Sequence, residues 1–209
     1  MQNIYLQENQ IYTMVNDPFA GLHKLAQLSL YDNRIDMMEG LRDLVNLKKL
    51  YLEKNMISKL QGLENCRKLE ELYLGNQDLP IGCHFEFDEY SLAAISGSLR
   101  NLDIPNSRVL QIKALYYLEG LEQLNLKDNS VGNFEQEVCP ILQTINGLRI
   151  LNLKNNPVTS ITKYRDQVVL LSRSVLELDG KDVSDQERKY LVSLISRKKV
   201  GGAVYNQVK

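Results

Sequence analysis

A pattern of apolar residues recurs along this chain at a spacing of about 22 residues, and such a period constrains the fold before any local propensity does. Residues 47–67 read LKKLYLEKNMISKLQGLENCR. The apolar positions in this segment are Leu47, Leu50, Leu52, Ile57, Leu60 and Leu63, with Asn55 between the two halves. The same spacing occurs 22 residues earlier around Asn33 and 22 residues later around Gln77. The period predicts a stack of short, equivalent units.

The spacing within one unit has a physical explanation. Leu-x-Leu puts two side chains on one face of a short strand, because alternate strand residues share a face. The chain then turns at the asparagine, whose amide can donate and accept hydrogen bonds where no sheet partner exists. No unit buries its own apolar face, so neighbours must stack. This is the leucine-rich repeat. We predict an α/β fold, a curved solenoid with parallel β-strands on its concave face, short 3₁₀ or helical segments on its convex side and a helical C-terminal cap.

The repeat pattern divides the chain into three parts. About seven repeats occupy residues 1–158, with an insertion at 80–98, a C-terminal cap follows at 159–196, and we expect residues 197–209 to form a mobile basic tail. The first repeat begins abruptly at Ile4, and solenoids need polar caps over a free strand edge. We therefore expect either upstream repeats that this sequence lacks, which we favour, or a partner that covers this end.

The insertion at 80–98 contains HFEFDEYSLAAI, in which Asp88 is a candidate N-cap for a short helix. Phe85 and Phe87 have two interpretations. They could belong to a protrusion that binds a partner, since loops inserted in rigid scaffolds often carry recognition. Alternatively they cover a longer convex turn, which we favour because aromatic residues near a core usually pack. The sequence leaves both open.

Composition excludes several classes of function. Charged residues are 24% of the chain, its net charge is -1 and its pI is about 6.2, so no global basic field favours direct binding of nucleic acid. The sequence contains no run of 18 apolar residues, which is about the length needed to span a membrane. The N-terminus lacks the features of a secretory signal. Cys66, Cys83 and Cys139 are scattered and form no CxxC pair. This pattern favours an intracellular compartment.

Catalysis has little support in the sequence. The two histidines, His23 and His84, have no neighbouring nucleophile or carboxylate in a catalytic arrangement. No glycine-rich phosphate loop or paired metal motif is present, and Cys83 beside His84 does not make a zinc site. We expect no catalytic residues, no metal and no cofactor, and therefore no enzymatic activity.

Binding has better support, because the repeat register says which residues flank the buried leucines and face the concave side. Tyrosine recurs there on four consecutive strands, and exposed tyrosine is enriched at interfaces because it offers large contact area at low entropic cost. The alternative is that tyrosine merely suits a strand. The candidate partner-binding residues on this face are Tyr5, Tyr31, Lys49, Tyr51, Glu53, Glu71, Tyr73, Asp103, Asn125 and Lys127, with Phe85 and Phe87 in the insertion. The mixed charge of this face favours a protein partner.

Longer motifs resemble a known family. The segments LYLEKNMI and LYLGNQ resemble the leucine-rich-repeat regulators of protein phosphatase 1, and residues 69–106, with ELYLGNQDLPIG and FEFDEYSLAAISGSLRNLDI, resemble the testis-type regulatory subunit of that family. The closing KYRDQVVLLSRSVLELDGKDV is similar to a cap that this family shares with a leucine-rich-repeat axonemal dynein light chain and the spliceosomal A-prime protein. The resemblance covers about residues 25–195.

The resemblance implies a non-enzymatic protein that binds the phosphatase 1 catalytic subunit, located in the cytoplasm or at a centrosome, basal body or flagellum. A second interpretation is a structural axonemal or centrosomal adaptor that binds tubulin or dynein components without phosphatase contact. A third is a component of a nuclear ribonucleoprotein, which the neutral charge disfavours as a direct RNA binder. For all three we expect a monomer without membrane contact.

Overall fold

The computed structural model describes residues 2–205, and in this part the chain forms short strands on one side and turns or short helices on the other. The strands are β1 (Asn3–Tyr5), β2 (Gln27–Ser29), β3 (Lys49–Tyr51), β4 (Lys59–Leu60), β5 (Glu71–Tyr73), β6 (Glu86–Phe87), β7 (Asn101–Asp103), β8 (Gln123–Asn125), β9 (Ile150–Asn152), β10 (Glu177–Leu178) and β11 (Lys181–Asp182). The helices are α1 (Glu89–Ile95), α2 (Cys139–Thr144), α3 (Tyr164–Leu171) and α4 (Asp185–Tyr205). Between them lie 3₁₀ segments at Lys113–Tyr117 and Pro157–Ser160 and a π-helical turn at Phe134–Val138.

Nine strands make one sheet in the order β1-β2-β3-β5-β7-β8-β9-β10-β11. Every neighbouring pair is parallel except the hairpin of β10 and β11. The central leucine of each repeat pairs in register with the next along the row Leu28, Leu50, Leu72, Leu102, Leu124 and Leu151. All six are buried. The chain is a leucine-rich-repeat solenoid, as its period predicts.

A ladder of side-chain amides runs behind the sheet, where each repeat turns away from its strand. In the middle of the ladder, Asn55 Nδ2 donates to the carbonyl oxygens of Leu30 and Leu52, each at 3.0 Å. Its Oδ1 accepts the N–H of Ile35 at 2.9 Å. The residues that occupy this position along the chain are Asn33, Asn55, Gln77, Ser107, Asn129 and Asn156, and all are buried. The ladder therefore pairs backbone groups that would otherwise be buried without partners.

Two ladder positions depart from asparagine and still carry the bonds. Gln77 Nε2 donates to the Leu52 carbonyl at 2.9 Å, and its Oε1 accepts the N–H of Ile57 at 2.8 Å. Ser107, whose side chain is shorter, donates only from its hydroxyl, at 3.2 Å to the Leu74 carbonyl. This position therefore requires a polar side chain that can reach the backbone of the preceding repeat, and asparagine is the residue most often found there.

The residue before each ladder position has a left-handed backbone, which turns the chain out of the strand. These residues are Asp32, Lys54, Asn76, Asn106, Asp128 and Asn155, and Glu8 has the same backbone before the exposed Asn9 of the first repeat, with φ between 47° and 60° in all seven. Asparagine and aspartate tolerate this region better than other non-glycine residues, and they fill five of the seven positions. The turn is therefore encoded by two consecutive polar residues.

The insertion at 80–98 packs on the convex side. Asp88 caps α1 by accepting the Ser91 N–H at 3.0 Å, as predicted, and Leu92 and Ile95 point into the core. The strands β4 and β6 form a second, two-stranded parallel sheet that the sequence did not reveal. Phe85 is only 2% exposed. This burial agrees with the favoured interpretation, in which Phe85 covers the core of the longer turn, and contradicts the alternative of a protruding partner site.

The C-terminal part closes the core with α3, the hairpin β10–β11 and α4. Ser184 Oγ accepts the Glu187 N–H at 3.1 Å, which starts α4 as the capping motif predicts. The Glu187 carboxylate also pairs with Arg165 through two bonds of 2.7 and 2.9 Å. The backbone of α4 continues to Tyr205, beyond residue 196, and the predicted end of the cap there stays a prediction. Residues 206–209 of the predicted mobile tail lie outside the described part, and mobility of the tail stays a prediction.

Replacing Asn55 with alanine should lower the free energy of unfolding by about 2–4 kcal/mol, because several buried backbone groups lose their partner at once. Denaturant unfolding followed by circular dichroism measures the loss. The matched control is Asn9→Ala, because Asn9 makes similar bonds to the carbonyls of Leu6 and Gln7 but is exposed. Its expected cost is below about 1 kcal/mol. Equal losses in the two variants would contradict the structural role of the buried ladder.

Candidate protein-binding face

The concave face is formed by the residues on either side of each buried strand leucine. Because successive strand residues alternate between faces, the two neighbours of each leucine point away from the core. Seven of the ten predicted concave residues lie on strands of the sheet, and Tyr31, Glu53 and Lys127 each lie two residues after a strand ends. Phe85 and Phe87 lie elsewhere, on the convex side.

Two tyrosines form the most ordered feature of this face. Tyr51 and Tyr73 pair in register on β3 and β5, and their rings stack with centroids 4.8 Å apart and an angle of 4° between the planes. Both side chains are half-buried, so part of each ring remains open to a partner. Stacked aromatic pairs on neighbouring strands stabilise one another and hold their orientation. The pair is a rigid apolar platform.

Polar neighbours fix the edge of this platform. Tyr73 donates its hydroxyl proton to Glu71 Oε2 at 2.9 Å and accepts a hydrogen bond from Asn101 Nδ2 at 3.1 Å. Glu71 Oε1 lies 2.8 Å from the Lys49 ammonium. Burial, followed by the bond to Glu71, raises the pKa of Tyr73 to about 12, so its hydroxyl stays protonated at neutral pH. The four groups form one connected network across three strands.

The other two tyrosines lie nearer the N-terminal end of the face. Tyr31 is half-buried, and the Lys54 ammonium lies 4.9 Å from the centre of its ring, within the range of a cation–π contact. Tyr5, on the edge strand β1, is 57% exposed. Ser29 on β2 lies between Tyr5 and Tyr51 in the strand register, so the four rings do not form one unbroken row.

Acidic side chains lie beside the platform. Burial raises the pKa of Glu53, and the charge of Asp103 raises it further. Burial also raises the pKa of Asp103, although a bond from Asn125 Nδ2 at 2.7 Å favours its charged form. Among the described residues, none donates a hydrogen bond to the buried Glu53 Oε2. This part of the face therefore holds two carboxylates in an environment that disfavours their charge.

Lys127 lies toward the C-terminal end of the face. Its ammonium is 3.3 Å from Asp128, and its backbone N–H donates to Asn125 Oδ1 at 3.1 Å. Both partners are accessible to water, so this ion pair contributes little to stability.

A groove of about 770 Å³ lies on the other side of the molecule, between the insertion and the 3₁₀ segment at Lys113–Tyr117. Phe87 and Leu110 contribute apolar surface to it. Glu137 also lines it, but its carboxylate already accepts the N–H groups of Ile112 and Lys113 at 2.6 and 2.8 Å. We regard the concave face as the better candidate because it carries the ordered pair of Tyr51 and Tyr73.

Neither a metal cluster nor a membrane span accompanies this surface within residues 2–205. No group of three or more histidine, cysteine, aspartate or glutamate side chains there is arranged to hold a metal ion. Of the helices described, none combines the length and apolar character needed to cross a bilayer.

Comparisons with known proteins support the repeat assignment. The family described as Leucine Rich repeats (2 copies) matches residues 45–81. Leucine-rich repeat-containing protein 36 of Mus musculus is 33% identical over 93 residues, which are 44% of this chain and 12% of that protein. The chain therefore spans about an eighth of this relative's length. Leucine-rich-repeat proteins typically serve as non-enzymatic protein-binding scaffolds.

Solved structures share the fold at low sequence identity. The internalin InlF of Listeria monocytogenes has a TM-score of 0.68 and 23% identity, with 88% of this chain and 48% of that chain covered. The U2A′ protein of Drosophila melanogaster, solved in a complex with SNF, has a TM-score of 0.57 and 18% identity, with 82% of this chain and all of that chain covered. Identities this low show the fold alone.

Replacing Glu53 with glutamine should raise the free energy of unfolding at pH 7. A carboxyl group with a raised pKa in the folded state binds its proton more tightly there than in the unfolded chain, so stability falls as pH rises through that range. The glutamine variant does not lose this stability as pH rises. Its advantage over wild type in free energy of unfolding should disappear near pH 4. Denaturant unfolding at the two pH values measures the difference.

The control is Glu71→Gln, whose carboxylate has favourable partners in Lys49 and Tyr73. This variant should gain nothing at pH 7. A Glu53→Gln variant less stable than wild type at pH 7 would show that its charge is favourably compensated in the free protein.

Proposed function

We propose that this chain is a protein-binding scaffold that holds its partner on the concave sheet, and that the partner is the catalytic subunit of protein phosphatase 1. The observation that carries the binding proposal is the stacked pair of Tyr51 and Tyr73 at the centre of that sheet. Aromatic side chains already fixed in place lose little entropy when a partner covers them, which favours affinity. Both rings remain partly accessible.

The shape of the molecule supports the same proposal. Parallel strands on the inner side of a solenoid give a long surface whose backbone positions hardly change when single side chains do. Such a surface can bind a folded partner through many side chains at once. The U2A′ solenoid, solved with SNF, is an example of this fold in a protein complex.

The phosphatase part of the proposal rests on the resemblance of residues 69–106 to the testis-type regulatory subunit. A scaffold of this kind would act by position: it would cover part of the catalytic subunit or hold it at one location, and so change which substrates it meets. We place this activity in the cytoplasm or at a cytoskeletal structure such as a centrosome or flagellum. The alternative partner is a microtubule or dynein component.

The test is affinity capture from native tissue with the full chain, followed by mass spectrometry. The double variant Tyr51→Ala, Tyr73→Ala should recover at least about tenfold less of the specific partner, because it removes the aromatic platform. Circular dichroism should show the same folded structure, since both side chains lie on the surface of the sheet rather than in its core.

The matched control is Tyr90→Ala, which removes an aromatic ring that is 80% exposed on α1, outside the concave face. It should recover as much partner as wild type does. Phosphatase 1 recovered by wild type and lost only in the double variant supports both parts of the proposal. Tubulin or dynein components in its place support the adaptor. If only the Tyr90→Ala variant fails to recover the partner, the binding site lies on the insertion instead.

A further inference from the structure

A buried carboxylate oxygen lies beside the tyrosine pair on the concave face. Glu53 Oε2 is buried, and no donor group in the described part of the chain bonds to it. On the next strand the equivalent position is Gly75, which has no side chain to cover or pair with this carboxylate. One strand further on, Asp103 lies close enough for its charge to raise the pKa of Glu53. The two carboxylates are therefore close enough on this face to repel each other.

The nearby cations are engaged elsewhere. The Lys49 ammonium lies 2.8 Å from Glu71. The Lys54 ammonium, on the residue directly after Glu53, lies over the ring of Tyr31, and 3.9 Å from Asp32. Asp103 takes its side-chain hydrogen bond from the neutral amide of Asn125, as described above. Neither of these two lysines neutralises the charge of Glu53 and Asp103.

The stacked tyrosines adjoin this charge. Cross-strand register puts Tyr51, Tyr73 and Asp103 side by side on β3, β5 and β7. Glu53 follows Tyr51 by two residues and so faces the same side. An aromatic surface thus lies next to two carboxylates, one of which has an acceptor atom without a partner. A guanidinium group matches both features, because it stacks on aromatic rings and donates several hydrogen bonds to carboxylates.

We propose that the concave face binds a partner segment through an arginine, which inserts between Glu53 and Asp103 and lies against the Tyr51–Tyr73 pair. This inference rests on the proposed use of the concave face and adds the chemistry of the contact. The arginine supplies the missing donor to Glu53 and neutralises the repulsion between the two carboxylates. The same negative charge repels the phosphates of a nucleic acid, so the segment is a peptide.

The test selects peptides from a random library of 12-residue peptides against the full chain and measures the affinity of the best ones by fluorescence polarisation. We expect selected peptides to contain arginine, and replacement of that arginine by the neutral isostere citrulline to weaken binding at least about tenfold. The double variant Glu53→Gln, Asp103→Asn should weaken the arginine peptide by a similar factor. Binding of the citrulline peptide to the double variant should be little weaker than with either change alone, because both changes remove the same contact.

The control double variant is Asp78→Asn, Glu119→Gln, which removes two exposed carboxylates outside the strands of the sheet and should leave the affinity unchanged. Binding could be lost in the tyrosine double variant and yet not depend on the peptide's arginine, or not depend on Glu53 and Asp103. Either result overturns the inference, while the proposed binding site on the concave face stands. If no selected peptide depends on Tyr51 and Tyr73, both are contradicted.

Discussion

The structure depends on the pairing of backbone groups at the turns behind the sheet. A solenoid of three-residue strands leaves many N–H and C=O groups at each turn without a sheet partner, and burying them unpaired would cost more than a short strand gains. Asn55 and its equivalents pair these groups between successive repeats. Since each amide bonds to the repeat before it, the ladder sets the distance and register between neighbours, and the strand leucines stack in line as a consequence.

That regularity is what makes the concave face useful. When strands stack in exact succession, side chains 22 residues apart come to lie side by side, and Tyr51 and Tyr73 stack for this reason. The face is stiff because the turns that hold it are fully hydrogen-bonded. A stiff, partly apolar surface needs little reorganisation on binding. The ladder of side chains that pairs the backbone groups at the turns therefore also keeps the concave surface in a shape suited to a partner.

The carboxylates of Glu53 and Asp103 on this face lower the stability of the protein. Burial disfavours the charged forms of Glu53 and Asp103, and neither takes part in an ion pair among the described residues. A purely structural sheet would gain by having neutral residues at these positions. Residues that lower stability without a structural benefit are expected at functional sites. Together with the tyrosine platform, this arrangement favours recognition of a cationic group.

The sequence alone determined the solenoid, the strand register, the polar turn and the concave tyrosines, because one short period fixes both spacing and facing direction. It could not decide whether Phe85 packs or protrudes, since both outcomes fit an aromatic residue in an insertion, and only the folded turn buries it. Nor could it reveal the strand pair β4–β6 or the buried oxygen of Glu53 that has no donor among the described residues. These features arise between residues of different repeats, where the irregular length of the insertion and the missing side chain of Gly75 break the period. Contacts made across such a break depend on the tertiary structure.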